Sequence, residues 1–452
     1  MSSLPTGWAI ERLKDVAAIN ATALSAGTDP DYEFDYLEIS NVDYHGMVDP
    51  NAIEHLRFED APSRARRRVA AGSTVISSVR PNLQAVAFFP DASAHFVCST
   101  GFNVVEPQPS RLSPQFAYYH LLSENARQYF EAAATGVGYP AIGDKEFNAI
   151  AVPLPPLPEQ QRIATYLDAS CAAIDAAVTA KRRQLETLDT LRKSIIQRAV
   201  TRGIASDAAL ESTGNVWLEK IPRGWKLVAL KRIAEIRGGL TLGKQYEGEL
   251  IERPYLRVSN VQDGHLDLAD VSVIALPAGV AAGVELRPDD VLMTEGGDLD
   301  KLGRGHLWQG EIAGCLHQNH IFAVRCFPHK LKPMFLAYAT AAQYGRDYFE
   351  ATGKKTTNLA NTNATKVGQF PIPLPPLNEQ ETICAHLDEK TAEVNSIVAT
   401  IEAQIATLSA YRKSLIHECV TGQRRITEAE VRHTMSPTAK PTGTGQPEEI
   451  HA

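Results

Sequence analysis

The chain is written twice, and this duplication constrains its fold more than any other feature. LPTGWAIERLKDVAAI, from Leu4, recurs as IPRGWKLVALKRIAEI, from Ile221. YLEISNV from Tyr36 recurs as YLRVSNV from Tyr255, and Tyr129-Phe130-Glu131 as Tyr348-Phe349-Glu350. PLPPLPEQ from Pro153 recurs as PLPPLNEQ from Pro373, and Arg192-Lys193-Ser194 as Arg412-Lys413-Ser414. The offsets run from 217 to 220 residues, in unbroken order. Solenoid repeats have periods of about 20–50 residues, so the repeated unit here is a whole domain with an appended segment.

Each unit begins as strands. YLEISNV and YLRVSNV, Thr74 to Val79, Val291 to Glu295 and Ile321 to Cys326 are short β-branched runs punctuated by Gly, Pro and Asp. One short helix, FAYYHLLSENARQYFEAA or FLAYATAAQYGRDYFEA, is expected to close each globular part. The prolines of PLPP then force an extended entry into the next segment.

After PLPP the period changes. From about Pro158 to Arg202, and from about Asn378 to Thr421, neither Pro nor Gly interrupts the chain. Pro158 suits the first helical position. Asn378 with Glu381 has the residue pattern of a capping box, and Gly203 and Gly422 are placed as stops. Leu167, Ile174, Lys181, Leu188 and Ile195 fall at steps of seven, as do Leu387, Val394, Ile401, Leu408 and Leu415. Val178 with Leu185, and Val398 with Ile405, widen each stripe. Two helices of roughly 65 Å, at about 1.5 Å per residue, are expected to pack on each other antiparallel. The competing arrangement packs each on its own domain. Lys181, alone on its stripe, is read as snorkelling to solvent.

The expected fold is therefore α+β: two globular mixed α/β domains separated by two long antiparallel coiled-coil helices. The division reads 1–152 for the first domain, 153–203 for the first helix, 204–372 for the second domain and 373–422 for the second helix. Residues 423–452, polar and rich in Pro, Thr and Glu, read as a disordered tail.

Composition narrows the function. The net charge of −8 opposes a simple nucleic-acid binder, and the first 150 residues hold 11 Lys/Arg against 18 Asp/Glu. If the chain grips DNA, it does so through local clusters, or with help from partners. No stretch approaches the roughly 18 or more apolar residues that a membrane span needs, and the N-terminus lacks the basic start and apolar run of a signal peptide. Six scattered cysteines without a C-x-x-C pair point to a reducing cytoplasm.

Catalytic motifs are not found. There is no G-x-x-x-x-G-K-[ST] loop, no G-x-G-x-x-G after a strand and no H-E-x-x-H. Asp29-Pro30-Asp31-Tyr32 resembles the Asp/Asn-Pro-Pro-Tyr/Phe motif of adenine methyltransferases, but its second Pro is replaced and it is read as a turn. His317, His320, Cys315 and Cys326 lack zinc spacing, so no metal is expected. The chain is read as non-catalytic.

Binding fits better. Arg64, Arg66, Arg67 and Arg68 form the densest basic run, shortly before Arg80 and Asn82. Arg and Asn make bidentate contacts to guanine and adenine edges, and Arg also grips phosphate. A solvated basic face is the bland reading of the same run. Ser99, Thr100, Tyr139 and Lys145 complete the first-half candidates. In the second half Thr294, Asp298, Lys301 and Arg304 lie in a glycine-rich stretch with Asp300, whose backbone N–H groups can approach phosphate. Gln318, Asn319, His320, Lys354, Lys355 and Asn358 add amides and cations. The halves match in framework and differ in these loops, as two readers of different sequences would.

The leading PxGW segments, the two PLPP motifs followed by Ile163 to Asp168 and Ile383 to Asp388, and helices ending near RKSII and RKSLI resemble type I restriction–modification specificity subunits. GGDLDKLGRG, HQNHIF and TTNLANTN are similar to one recurring kind of target-recognition domain there. The resemblance covers residues 1–422. It implies that each globular domain reads one half of a split double-stranded DNA target. It implies too that the helices set the spacing and dock two methyltransferase subunits, with restriction/translocase subunits joining them. S-adenosylmethionine and ATP would then belong to those partners, with no cofactor on this chain.

Overall fold

The computed structural model describes residues 4–43, 46, 48–93, 95–262, 264–297, 302–355 and 360–435. Asp298, Lys301 and Asn358 lie outside them, as does the side chain of Lys355. The chain divides into two compact units, Met1–Lys181 with Ala403–Ala452, and Arg182–Glu402. The linear division read from the sequence assigns each helix to one segment; the units instead divide each long helix between them.

The first unit is built on a four-stranded antiparallel sheet in the order Ala17–Ile19, Phe102–Pro107, Ser73–Ser77, Val86–Phe89. Every residue of Ser73–Ser77 is buried, which is why this run carries no polar alternation. A second sheet runs Glu54–Arg57, Glu33–Leu37, Phe96–Ser99, Ala65–Arg68, with its middle pair parallel. The second unit repeats the first sheet as Ala234–Gly238, Ile321–Cys326, Asp290–Thr294, Gly305–Leu307. It also repeats the parallel pair, as Ile251–Leu256 with Leu316–His317.

The repeated motifs have structural jobs. In SNV, the Asn side chain accepts from a backbone N–H three residues earlier: Asn41 from Glu38 at 2.7 Å and Asn260 from Arg257 at 2.7 Å. In YFE, the Tyr129 hydroxyl donates to the Glu146 carbonyl at 2.8 Å and Tyr348 to Lys366 at 2.7 Å, while Phe130 and Phe349 are core residues. Each PLPP motif begins inside a two-stranded pairing, Ala9–Arg12 with Ala151–Leu154 and Lys226–Ala229 with Pro371–Leu374, and its last two prolines follow directly on the strand.

The helix expected to close each domain is two helices, Pro114–Leu121 with Glu124–Ala133, and Pro333–Ala341 with Gln343–Thr352. In the first pair Ser123 starts a new helix by accepting from the Ala126 N–H at 3.3 Å, a capping bond.

The long helices run Leu157–Arg202 and Leu377–Val420, 46 and 44 residues. Each starts one residue before the expected position, and Glu381 pairs with Lys332 rather than closing a capping box. The helices stop before Gly203 at φ +71° and Gly422 at φ +75°, left-handed positions that favour glycine. Within the first unit, Asp175 meets Arg412 at 3.1 Å and Lys181 donates to Gln404 at 2.6 Å, so these segments run antiparallel. Lys181 thus has a helix partner rather than solvent alone. Leu167, Ile174 and Val178 join Leu415, Ile416 and Cys419 in the same core as Phe116 and Phe147. In the second unit Ile195, Ile196 and Val200 share a core with Ile383, Leu387 and Phe335. Each domain core therefore takes in the start of one helix and the end of the other, and both packing arrangements weighed from the sequence hold at once. Val394 and Ile401 are buried, Leu188 and Leu408 half-buried.

Two expectations are corrected. An 18-residue stretch of the first long helix is long and apolar enough to cross a membrane. Its Ile163, Leu167, Cys171, Ile174 and Val178 lie in the first unit's core, the place of a core helix. The start of the expected disordered tail is ordered: Glu428–Met435 is a helix, and Ile426 is buried in the first core. Arg425 pairs with Glu159 at 2.8 Å and the Arg162 guanidinium donates to the Ile426 carbonyl at 2.9 Å. Apolar content alone hid this, because polar anchors hold the segment. Residues 436–452 lie outside the described residues.

Candidate nucleic-acid interface

In each unit the fully buried central strand delivers the chain to a place where three loop segments meet. In the first unit Ser77 leaves that strand, and the Ser78 N–H and hydroxyl both donate to the Gly101 carbonyl at 2.8 Å. The Arg80 N–H donates to Pro140 at 2.7 Å, and Ile142 N–H to Ser78 at 3.0 Å. Thr100 N–H donates to the Arg64 carbonyl at 2.8 Å. One ladder thus ties Arg64, Thr100, Ser78, Arg80 and Tyr139 into a single surface.

The second unit repeats this junction with other residues. Glu295 N–H donates to the His320 carbonyl at 2.9 Å, and Thr362 N–H to Glu295 at 2.8 Å. A small sheet lays Gly296–Gly297 against Ala360–Asn361, and these against Lys354–Lys355. The glycine-rich stretch, the HQNH turn and the TGKK stretch, far apart in sequence, become neighbours.

The basic run does not act as one patch. Arg64 is exposed and donates to Glu38 at 2.8 Å. Arg66 lies over the Phe58 ring at 4.6 Å and Arg68 over Tyr32 at 5.4 Å, the cation–π arrangement. Arg67 points to the other face and donates to the Phe102 carbonyl and Asn103. Burial lowers its guanidinium pKa. Strand alternation, with an irregularity between Ala65 and Arg67, separates side chains that the sequence places side by side.

Other candidates divide similarly. Arg80 and Tyr139 are exposed and together, with the guanidinium over the ring at 4.7 Å. Asn82 is half-buried in the Pro81–Leu83 turn. Ser99 is fully buried and accepts from the Gly101 N–H at 3.3 Å, so its role is the turn; Thr100 is exposed. Lys145 lines a pocket with Arg12, Lys14 and Asn148. In the second unit Thr294 is buried, its carbonyl accepting from Gly303 at 3.1 Å, and Arg304 is half-buried. Gln318 and Asn319 are half-buried, their N–H groups donating to Leu256 and Leu240 at 2.9 Å. His320 is exposed and meets Glu295 at 2.7 Å. Lys354 is exposed.

Two carboxylates at these junctions were not among the sequence candidates. Burial opposes ionisation of Glu38, but the Tyr36 hydroxyl, the Ile39 N–H and Arg64 outweigh it and hold its pKa below the usual range. Glu295 orients His320. Carboxylates can accept from cytosine N4, so acidic side chains are chemically able to meet base edges. Among the described residues no group of three or more His, Cys, Asp or Glu could hold a metal.

A family model described as the type I restriction modification DNA specificity domain matches residues 5–187 and 222–407, one match per repeat. The type I restriction enzyme StySPI specificity subunit of Salmonella potsdam is 22% identical over 435 residues, 93% of this chain and 90% of that protein. The MjaX specificity subunit of Methanocaldococcus jannaschii is 26% identical over 204 residues, 45% of this chain; the match spans about half of that protein, 47%. A solved chain described with complex assembly and conformational transition of the type I R-M system superposes with a TM-score of 0.74. It is 23% identical and covers 94% of this chain and 100% of its own, a likeness of fold.

Proposed function

This chain belongs to the type I restriction modification DNA specificity family, a family of recognition subunits rather than enzymes, and on that premise we propose that each unit reads one half of a split double-stranded DNA target. The observation that carries this is the repeated junction with unlike side chains. Arg80 and Tyr139 occupy it in the first unit, and Glu295, His320 and Lys354 in the second. One framework with two sets of polar groups is what reading two different sequences requires.

The long helices set the gap between the half-sites and dock two methyltransferase subunits, with restriction/translocase subunits joining through them. S-adenosylmethionine and ATP are bound by those partners, in the cytoplasm. With a net charge of −8, this chain leaves much of the phosphate grip to them.

Exchanging residues 5–151 for the matching region of another family member, followed by methylation mapping of cells carrying all subunits, tests the division. One half of the target should change while the other stays; a change in both would overturn modular reading. The ruler is tested by duplicating Thr187-Leu188-Asp189-Thr190, with a matched insertion in the second helix. That adds about 6 Å at 1.5 Å per residue, close to two base pairs at about 3.4 Å each. The unread gap should lengthen by one or two bases, and an unchanged gap beside full activity would exclude the helices as its determinant.

A further inference from the structure

The turn after the first unit's central strand is more constrained than a surface loop needs to be. Arg80 and Gln84 flank Pro81–Leu83, both in left-handed backbone, φ +48° and +55°, a region non-glycine residues rarely adopt. Each end is pinned. Gln84 donates to the Leu121 and Ser123 carbonyls at 3.1 and 3.3 Å, and the Arg80 N–H donates to Pro140 at 2.7 Å. The equivalent position in the second unit, counted from the ends of the matching strands at Ser77 and Thr294, is Gly297, at φ +143°. The second unit has a glycine at that place, in a different positive-φ conformation; the first places an arginine there, held in left-handed backbone.

The guanidinium is held as firmly as the backbone. Nε and Nη2 both donate to the Gly138 carbonyl, at 3.3 and 2.7 Å, and the plane lies over the Tyr139 ring at 4.7 Å. Gly138, which presents that carbonyl, sits at φ +84°, a backbone conformation that favours glycine. Both bonds use the Nε side of the fork. Nη1 makes no hydrogen bond among the described residues, so the terminal edge, Nη1 with the remaining Nη2 hydrogen, stays open on an exposed side chain. Two parallel donors on a planar edge match guanine O6 and N7. A phosphate contact needs charge and reach; it needs no left-handed backbone, carbonyl clamp and aromatic platform.

We propose that Arg80 reads a guanine in the half-site addressed by the first unit, with Gly138 and Tyr139 as the residues that position its fork. This rests on the reading that the first unit recognises DNA, and the test separates the two. The full chain, assembled with type I methyltransferase subunits, selects from a pool of randomised duplexes, and enriched sequences are compared for wild type, R80G, R80K and Y139L. R80G keeps a residue suited to the backbone, and R80K keeps the charge without the fork.

Wild type should enrich a split sequence with a guanine at one position of one half. R80G and R80K should each lose about ten-fold or more of the discrimination at that position, with every other position kept, and Y139L should lose part of it. R80K should keep the wild-type salt dependence. If R80G and R80K keep the guanine preference, or R80G weakens all sequences equally with a shallower salt dependence, Arg80 is not a base reader, although the chain still reads DNA. If wild type enriches no sequence, the proposed function fails and this inference with it.

Discussion

The Gln160 side-chain carbonyl accepts from the Ser113 backbone N–H at 2.8 Å, while its amide donates to the Arg111 and Pro155 carbonyls at 2.8 and 2.9 Å. Gln380 repeats all three bonds, with Lys332, Lys330 and Pro375 at 2.8, 3.0 and 2.9 Å. Both side chains are fully buried. The Gln that ends each PLPP motif is thus a three-way tie between a long helix and its domain. Q160L leaves buried backbone groups unpaired, which costs about 1–3 kcal/mol. Denaturant unfolding should show that loss in the first unit's transition, and Q380L a similar one in the second's.

An ion pair in the second unit's main sheet has no counterpart at the matching places in the first. Arg325 grips Asp290 through two bonds of 2.8 and 2.7 Å, and Asp290 is fully buried. R325Q strands that carboxylate and should cost about 3 kcal/mol. The equivalent places in the first unit hold Ser73 and Glu106, so the fold does not need the pair. D290S with R325Q should therefore be more stable than R325Q alone, as a double-mutant cycle would measure.

Burial keeps His120 neutral, pushing its pKa from 6.5 down to about 4. Between these values the unfolded chain takes up a proton that the folded chain refuses. Stability should therefore fall as pH drops through 6.5 and level off near 4, by about 1.4 kcal/mol per pH unit at most. Urea unfolding of wild type and H120F at about pH 7 and about pH 4.5, on either side of the His titration range, isolates the effect. The variant should lose less stability on acidification, and equal losses would contradict it.

All six cysteines are free and buried. Burial pushes the Cys171 thiol up to about 11 and Cys98, Cys315, Cys326, Cys384 and Cys419 up to about 12. A thiol reagent at neutral pH should find no fast-reacting group in the native chain and six after denaturation, since the thiolate is the nucleophile.

Adjacent arginines should separate by assay. Arg67 is tied to Phe102 and Asn103, so R67A should lower the melting temperature and leave the selected sequence unchanged. Arg64 is exposed on the junction, so R64A should keep the melting temperature and weaken DNA binding by the assembled complex. The reverse pattern would place the contacts on the other side chain.

Much of this architecture is written locally. The matched blocks, the seven-residue stripes and the glycine stops are relations between near neighbours or between copies, and backbone geometry turns them into helices and strands without knowledge of the rest. That is why the duplication, the helix bounds to within a residue and most buried stripe positions were legible. The sequence also showed where the copies differ, and so where to look for recognition. What it could not decide depends on partners far along the chain. Arg80 meets Gly138, and Arg67 meets Asn103; neither spacing has a period. The ordered residues after Gly422 are held by Glu159 and Arg162 from the first helix, so their polar composition was no guide. Whether an arginine is a reader or a strut is set by which face of the strand it takes and which carbonyl is waiting there, and only the folded chain brings those together.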